Sequence, residues 1–208
     1  MIDVLYEDNH IIVVNKPQDI PTQPDESGDL DLLSMCKEYI KEKYNKPGNV
    51  FLGLVHRLDR PTGGIIVFAR TSKAASRLSE QIKNGTFNKK YVAVVEGQLK
   101  DKLAHLTHYL KKDEKNNKVY IVPELESGGK RADLEYRVID ENENLSMLDI
   151  SLLTGRGHQI RVQLSTIGNP IVSDVKYGAK QKITDKLSLW AYSLTFKHPT
   201  KDKTLSFI

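Results

Sequence analysis

The sequence predicts an α+β fold built on a mixed, mostly antiparallel sheet flanked by helices and loops. Segments with a strand pattern outnumber segments with a helix pattern, and several follow one another without a helix between them. With 208 residues the chain can bury one sizeable core. Because no linker or change of composition marks a boundary, we expect a single domain over residues 1–208.

The N-terminal part is expected to begin with a β-hairpin. Apolar residues 4–6 and 11–14 flank a polar turn, which is the pattern of two paired strands. A helix is predicted next, because apolar residues recur at helical spacing and stop before Pro47. These residues are Leu32, Leu33, Cys36, Tyr39 and Ile40. Cys36 is the single cysteine and excludes an internal disulfide.

A buried strand is predicted at residues 65–69 and a second helix at residues 73–84. The strand is a continuous apolar run. Ser72 is a suitable N-cap for the helix, and Gly85 follows its last turn, where glycine commonly ends a helix.

The second half of the chain is predicted to be richer in strands. In residues 131–139 apolar side chains alternate with polar ones, as in a half-buried strand. Apolar residues at helical spacing between 160 and 167 predict a short helix that ends at Gly168. The lysine-rich segment 111–118 is predicted to be a solvated hairpin tip. Further strands are predicted at residues 91–96, 119–122 and 147–153.

The charge balance is mildly basic, with 31 Lys and Arg against 27 Asp and Glu, a net charge of +4 and a pI near 8.9. Such a balance permits nucleic-acid binding without establishing it. No stretch approaches the ~20 apolar residues that a membrane span needs, and the N-terminus lacks a signal-peptide pattern. We therefore expect a soluble, cytoplasmic protein with no membrane partner.

The most informative stretch is residues 56–64 (HRLDRPTGG), which bring a carboxylate, two guanidiniums and an imidazole to a turn before the predicted strand 65–69. Charged groups gathered where a chain enters a buried strand often serve chemistry. The alternative is an ordinary ion pair between Asp59 and a neighbouring arginine at the end of a sheet. The triplet RLD alone favours that alternative, and the full string is more specific.

The nine-residue string resembles the signature HRLDxxTSG of the RluA-type RNA pseudouridine synthases. Gly63 replaces the usual serine, which is a small-for-small change in a turn. Four further segments resemble motifs of this family in the correct order, so the resemblance spans essentially the full chain. They are residues 13–17 (VVNKP), 90–97 (KYVAVVEG), 153–164 (LTGRGHQIRVQL) and 193–199 (SLTFKHP).

The resemblance implies a sheet-centred catalytic domain and its main site residues. By the motif matches, Asp59 is the catalytic aspartate, Tyr91 is the active-site tyrosine, and Arg161 is the arginine that pairs with the aspartate. Enzymes of this family often carry a small N-terminal RNA-binding S4 domain. We expect none here, because the first motif begins almost at residue 1.

The implied reaction breaks the C1′–N1 bond of a uridine, turns the uracil and joins C5 to C1′, and we expect it to need no metal and no other cofactor. Asp59 would act as nucleophile or as base on the sugar, and the sequence leaves both open. Burial raises the pKa of a carboxyl group, so the Arg161 guanidinium would keep Asp59 ionised. Tyr91 would stack on the flipped uracil and help to remove the C5 proton.

The partner that the resemblance implies is ribosomal or transfer RNA, and we expect a monomeric enzyme. A uridine in folded RNA must leave its stack before it can react, and Arg57, two residues from Asp59, would fill the gap. The glycines beside Arg156 would leave backbone amides open to a phosphate. Lys16 has two open roles, contact with RNA or support of the Asp59 loop. The expected RNA-binding residues are therefore Arg57, His56, Arg156, His158 and Lys16.

Two other classes of protein fit the sequence less well. A non-catalytic RNA-binding module would be favoured if Asp59, Tyr91 or Arg161 were replaced, and all three are present. A hydrolase that acts on a sugar usually needs two facing carboxylates, and no second acid stands out in the motifs. His105 and His108 have a possible metal-ligand spacing but no cysteine or carboxylate companion nearby, so no metal site is predicted.

Overall fold

The computed structural model describes residues 2–124 and 128–208, which fold into two compact units. The first unit comprises the residues up to Asn88 together with Ala191–Ile208, and the second comprises Lys89–Trp190. Both units combine helix with antiparallel strands, so the predicted α+β class is confirmed. The expectation of a single domain over residues 1–208 stays a prediction.

The described residues form eleven strands, three α-helices and one short 3₁₀ helix at Val175–Tyr177. The strands are β1 (Asp3–Glu7), β2 (Ile11–Lys16), β3 (Gly53–Leu54), β4 (Gly63–Ala69), β5 (Asn88–Glu96), β6 (Leu103–Asp113), β7 (Lys118–Val122), β8 (Lys130–Glu141), β9 (Leu145–Leu152), β10 (Leu189–Lys197) and β11 (Thr204–Phe207). The helices are α1 (Leu32–Lys43), α2 (Ser72–Lys83) and α3 (Gln159–Thr166). No helix in this part of the chain has the length and apolar character needed to cross a membrane.

The sheet of the first unit has the strand order β1, β2, β4, β10, with β3 paired to β4 and β11 to β10. The predicted hairpin of residues 4–6 and 11–14 is confirmed as the antiparallel pair β1–β2. Asp8 closes its turn, because its carboxylate accepts hydrogen bonds from the amides of His10 at 2.8 Å and Ile11 at 3.0 Å. The apolar core lies between this sheet and α2, around Ile11, Val13, Val67, Leu78 and Phe196.

Helix α1 is confirmed, and Cys36 is buried on its apolar face as expected. Helix α2 is also confirmed, but its predicted N-cap, Ser72, was wrong by one residue. Thr71 is the cap: its backbone is extended, and its hydroxyl accepts a hydrogen bond from the amide of Ala74 at 3.1 Å. Ser72 already belongs to the helix, whereas a cap residue has a non-helical backbone and accepts from an amide of the first turn, as Thr71 does.

The predicted strand 65–69 begins two residues earlier, at Gly63, so β4 includes both glycines of the charged string. Gly64 has φ +121°, and a Cβ atom there would lie 2.2 Å from the carbonyl oxygen of Ala191. Only glycine can adopt this conformation at such a close approach of two backbones. The string therefore ends in a position where β4 and the chain at Ala191 are in tight contact.

The sheet of the second unit has the order β5, β9, β8, β6, β7, and every neighbouring pair is antiparallel. The predicted strands 91–96, 119–122, 131–139 and 147–153 correspond to β5, β7, β8 and β9. The predicted helix is α3, which is followed by Gly168 with φ +93°. The predicted hairpin is confirmed, but its tip is shorter than the predicted segment 111–118: it comprises residues 114–117, because Asp113 of β6 pairs with Lys118 of β7. Four strands of the two units were not predicted: β3, β6, β10 and β11.

Candidate active site

The predicted site residues fall into two sets, one in each unit. Lys16, His56, Arg57 and Asp59 belong to the first unit, and Tyr91, Arg156, His158 and Arg161 belong to the second.

Asp59 lies in the loop that connects β3 to β4. Its backbone carbonyl accepts a hydrogen bond from the amide of Thr62 at 2.9 Å, which closes a turn around residues 59–62. Leu58 is buried and anchors the loop, whereas Arg57 and Arg60 on either side are exposed and Asp59 is half-buried. The Asp59 carboxylate therefore lies in the loop between two arginines whose side chains are both exposed.

Lys16, at the end of β2, is completely buried beneath this loop. Its ammonium donates to the carbonyl oxygens of Pro17 at 3.0 Å, Ile20 at 2.7 Å and Arg60 at 3.0 Å. All three ammonium hydrogens are used, so the geometry favours support of the loop over contact with RNA. Burial lowers the pKa of Lys16 to about 8, and the negative charges of Asp19 and Asp59 act in the opposite direction.

The segment from Lys16 to Thr22 holds the loop at points on both sides of Asp59. The buried hydroxyl of Thr22 donates to the carbonyl of Leu58 at 2.7 Å and accepts from the amide of Leu58 at 3.3 Å. The amide of Asp19 donates to the carbonyl of Arg60 at 2.9 Å. Thr22 was not predicted, because nothing in a single sequence indicates that two residues 36 positions apart are bonded.

His56 is packed within the first unit. Its Nε2 accepts a hydrogen bond from the amide of Val67 at 3.3 Å, and its ring meets that of Phe87 edge-on with centroids 5.2 Å apart. These contacts connect the Asp59 loop to the middle of β4. Contact of His56 with RNA stays a prediction.

Tyr91 is on β5, opposite Ile150 of β9, and is 5% exposed. Residues of a strand alternate between its two faces, so Tyr91 shares a face with Lys89 and with the buried Ala93. The tyrosine is therefore part of a largely apolar face whose outer end is basic.

Arg161 is on α3 and is 5% exposed. Its guanidinium forms a two-point ion pair with Asp174, with Nε and Nη2 each 2.7 Å from a carboxylate oxygen. It also lies over the ring of Tyr177, 5.0 Å from the centroid. Asp174 was not predicted, because the resemblance assigns Asp59 as the carboxylate partner of Arg161 and nothing local links two residues 13 positions apart.

Tyr177 connects Arg161 to His158. The Tyr177 hydroxyl is 2.7 Å from Nδ1 of His158 and accepts a hydrogen bond from the amide of Val119 at 3.0 Å. His158 is the N-cap of α3 and has a left-handed backbone conformation, with φ +53°. The structure therefore brings two predicted site residues, Arg161 and His158, onto one tyrosine.

The side chain of Gln159 forms hydrogen bonds that fix the loop carrying Arg156. The Gln159 side-chain oxygen accepts from the amide of Arg156 at 3.0 Å and from the hydroxyl of Thr154 at 2.8 Å. The Arg156 amide is therefore not open to a phosphate, which corrects the expectation for this position. Its exposed guanidinium donates from Nε to the carbonyl of Arg131 at 3.0 Å.

The two histidines with metal-ligand spacing lie on β6, where residues three apart point to opposite faces. His105 contacts Asp133 at 3.2 Å and Glu135 at 3.4 Å, and the hydrogen bond with Asp133 is the main cause of its raised pKa. His108 contacts Gln163 instead, and burial lowers its pKa. Within residues 2–124 and 128–208, no group of three or more His, Cys, Asp or Glu side chains could hold a metal ion.

Comparison with known proteins identifies the family. The family model described as RNA pseudouridylate synthase matches residues 10–166, a range that contains Asp59, Tyr91 and Arg161. The chain belongs to this family. The match confirms the resemblance that the charged string and the four further segments indicated.

Several curated relatives match over almost the whole chain. The uncharacterized RNA pseudouridine synthase YhcT of Bacillus subtilis is 33% identical over 98% of this chain and 67% of its own length. Ribosomal large subunit pseudouridine synthase C of Vibrio parahaemolyticus is 32% identical over 96% of this chain and 62% of its own length. Ribosomal large subunit pseudouridine synthase D of Zymomonas mobilis is 33% identical over 99% of this chain and 68% of its own length. The chain thus spans about two thirds of the length of these relatives.

Solved structures show the same fold. Human RNA pseudouridylate synthase domain containing 4 aligns with a TM-score of 0.82 and 22% identity, over 99% of this chain and 87% of its own. Human RNA pseudouridylate synthase domain containing 1 aligns with a TM-score of 0.78, also at 22% identity.

Proposed function

We propose that this protein isomerises specific uridines in ribosomal or transfer RNA to pseudouridine, with Asp59 as the catalytic residue. The observation that carries the proposal is the family match across residues 10–166. It is supported by the Asp59 loop, whose backbone is held by two buried side chains, those of Lys16 and Thr22. The names of two relatives specify the ribosomal large subunit, which favours ribosomal RNA as the substrate.

The chemistry assigned to Asp59 is attack on, or proton removal from, the sugar of the target nucleotide while the C1′–N1 bond breaks. The detached uracil turns and C5 bonds to C1′, while any bond between Asp59 and the sugar breaks. The proton on C5 is lost to a base and N1 takes up a proton, so the product is an isomer of the substrate. A loop that is fixed at its backbone suits either role, because the carboxylate is presented without reorganisation of the chain.

Tyr91 is proposed to stack on the uracil and to assist removal of the C5 proton. Its low exposure and apolar neighbours support a role against a base rather than in solvent. Arg161 is proposed as the cation that keeps Asp59 ionised. Its guanidinium is buried and is held in one orientation by Asp174. A planar cation with a fixed orientation can bond a carboxylate in a defined geometry.

Arg57 is proposed to stack where the flipped uridine had been, and its exposed side chain beside Asp59 supports this role. Arg156 is proposed to add positive charge for the RNA backbone, and His158 and His56 are proposed as further RNA contacts. No cofactor or metal is included in the proposal, since the isomerisation exchanges one bond for another without a change of oxidation state.

The test is Asp59→Asn, which keeps the shape of the side chain and removes its charge. We expect it to abolish release of tritium from uracil C5 in RNA taken from cells that lack the gene, while RNA affinity stays within about twofold of wild type. Asp202→Asn is the matched control, because Asp202 is exposed and forms an ion pair with Lys197 at the surface. Activity of Asp59→Asn within tenfold of wild type would overturn the assignment. If the wild-type protein binds the RNA but forms no pseudouridine, the protein is a binding module instead.

A further inference from the structure

Lys89 is a basic residue that no motif assigns to the site. It lies on β5 two residues before Tyr91 and on the same face, whereas its neighbour Lys90 is on the opposite face. Lys90 is exposed and forms an ion pair with Asp149 at 3.5 Å. The two adjacent lysines are therefore in different environments.

The Lys89 ammonium lies against Gly155, in the loop between β9 and α3. A Cβ atom at Gly155 would be 3.1 Å from the Lys89 nitrogen, which is closer than most real contacts. The absence of a side chain at Gly155 thus leaves room for the ammonium beside this loop. The same loop carries Arg156, whose exposed side chain is proposed to face the RNA backbone.

The Lys89 charge is desolvated and is not neutralised. Burial alone lowers its pKa, and within residues 2–124 and 128–208 it forms no hydrogen bond or ion pair. A partly buried charge without a partner destabilises the fold, so proteins rarely keep one for structural reasons. Lys16 shows the contrast, since its ammonium has three carbonyl partners.

We propose that Lys89 binds a phosphate of the RNA backbone next to the uridine that Tyr91 contacts. This inference rests on the proposed function. A lysine ammonium is a compact charge with three donors and suits a single phosphate. Residues two apart on a strand are separated by about 6.8 Å, which is comparable to the distance between the base and the phosphate of one nucleotide. The loop at Gly155 then borders the phosphate on its other side.

The experiment compares Lys89→Gln with the matched control Lys90→Gln, on RNA isolated from cells that lack the gene. Pseudouridine formation is measured as kcat/KM at several KCl concentrations. For Lys89→Gln we expect kcat/KM to fall about 10- to 100-fold at low salt, and the slope of log kcat/KM against log KCl to become shallower by about 0.7 to 0.9. Lys90→Gln should stay within about twofold of wild type with an unchanged slope. Lys89→Arg should restore the slope because it keeps the charge.

The melting temperature separates binding from a structural role. Because the charge has no partner, Lys89→Gln should melt at or above the wild-type temperature. A lower melting temperature, an unchanged salt slope, or equal effects of Lys89→Gln and Lys90→Gln would overturn the inference while leaving the proposed function intact. If the wild-type protein forms no pseudouridine on this RNA, the proposed function itself fails, and the inference fails with it.

Discussion

Each unit buries one cation among the predicted site residues, and the two cations are satisfied in different ways. In the first unit, Lys16 donates to three backbone carbonyls and, within the part of the chain that the structure describes, to no carboxylate. In the second unit, Arg161 is paired at two points with Asp174 and lies over an aromatic ring. Backbone carbonyls hold the Lys16 ammonium through their dipoles, whereas the Asp174 carboxylate holds the Arg161 guanidinium through an ion pair.

The difference indicates what each cation holds in place. Lys16 bonds the backbone at Arg60, one residue after Asp59, so it fixes the path of the chain and leaves its net charge to act on that carboxylate. The Asp174 pair instead fixes the plane of the Arg161 guanidinium. In the first unit, hydrogen bonds to the backbone set the position of the Asp59 loop. In the second unit, an ion pair between side chains sets the orientation of the Arg161 guanidinium.

The largest effect is expected when the pair in the second unit is broken. Asp174→Ala leaves the buried Arg161 charge without its carboxylate, so we expect a loss of about 3–5 kcal/mol in the free energy of unfolding. Chemical denaturation measures this loss directly. Asp185→Ala is the control, because Asp185 pairs with Lys182 at an exposed position and should change stability little.

The double variant Arg161→Met with Asp174→Leu sharpens the comparison. If the pair serves function rather than stability, replacing both charges by apolar side chains should recover most of the lost stability without recovering activity. A double variant as unstable as Asp174→Ala would contradict that interpretation.

The next effect concerns Lys16, whose lowered pKa makes stability depend on pH. In the folded protein the ammonium loses its proton near pH 8, while in the unfolded chain it keeps the proton to about pH 10.4. Within that window the unfolded state binds more protons, so the contribution of Lys16 to stability rises with pH. We expect wild type to gain roughly 2–3 kcal/mol relative to Lys16→Met between pH 8 and pH 10. Parallel denaturation curves over this range would contradict the assigned protonation.

Much of the fold could be predicted from the sequence because the patterns are local. The hairpin β1–β2, helices α1 to α3 and the alternating strand β8 each show a periodicity or turn signal within a few residues. Strand β6 was missed for a physical reason. Its side chains are partly exposed on both faces and include His105, Thr107 and His108, so apolar residues do not stand out.

The site was predictable only where a short motif contains the functional residue. Asp59, Tyr91 and Arg161 each lie in a recognisable string, and their roles stay predictions. Of the residues that hold them, Lys16 also lies in such a string, but Thr22 and Asp174 do not. Thr22 and Asp174 are 36 and 13 residues from their partners, and such bonds depend on how the chain folds back rather than on local sequence.

The smallest expected effect comes from Thr22, and it tests whether backbone bonds position the Asp59 loop. Thr22→Val keeps the branched shape and removes the hydroxyl that bonds both the amide and the carbonyl of Leu58. We expect a loss of about 1–2 kcal/mol in the free energy of unfolding. We also expect kcat for pseudouridine formation to fall about tenfold with KM nearly unchanged, because the carboxylate is misplaced but the RNA contacts are not. Thr22→Ser keeps the hydroxyl and should restore kcat. If the serine and valine variants lose kcat equally, packing of the methyl group rather than the hydrogen bonds positions the loop.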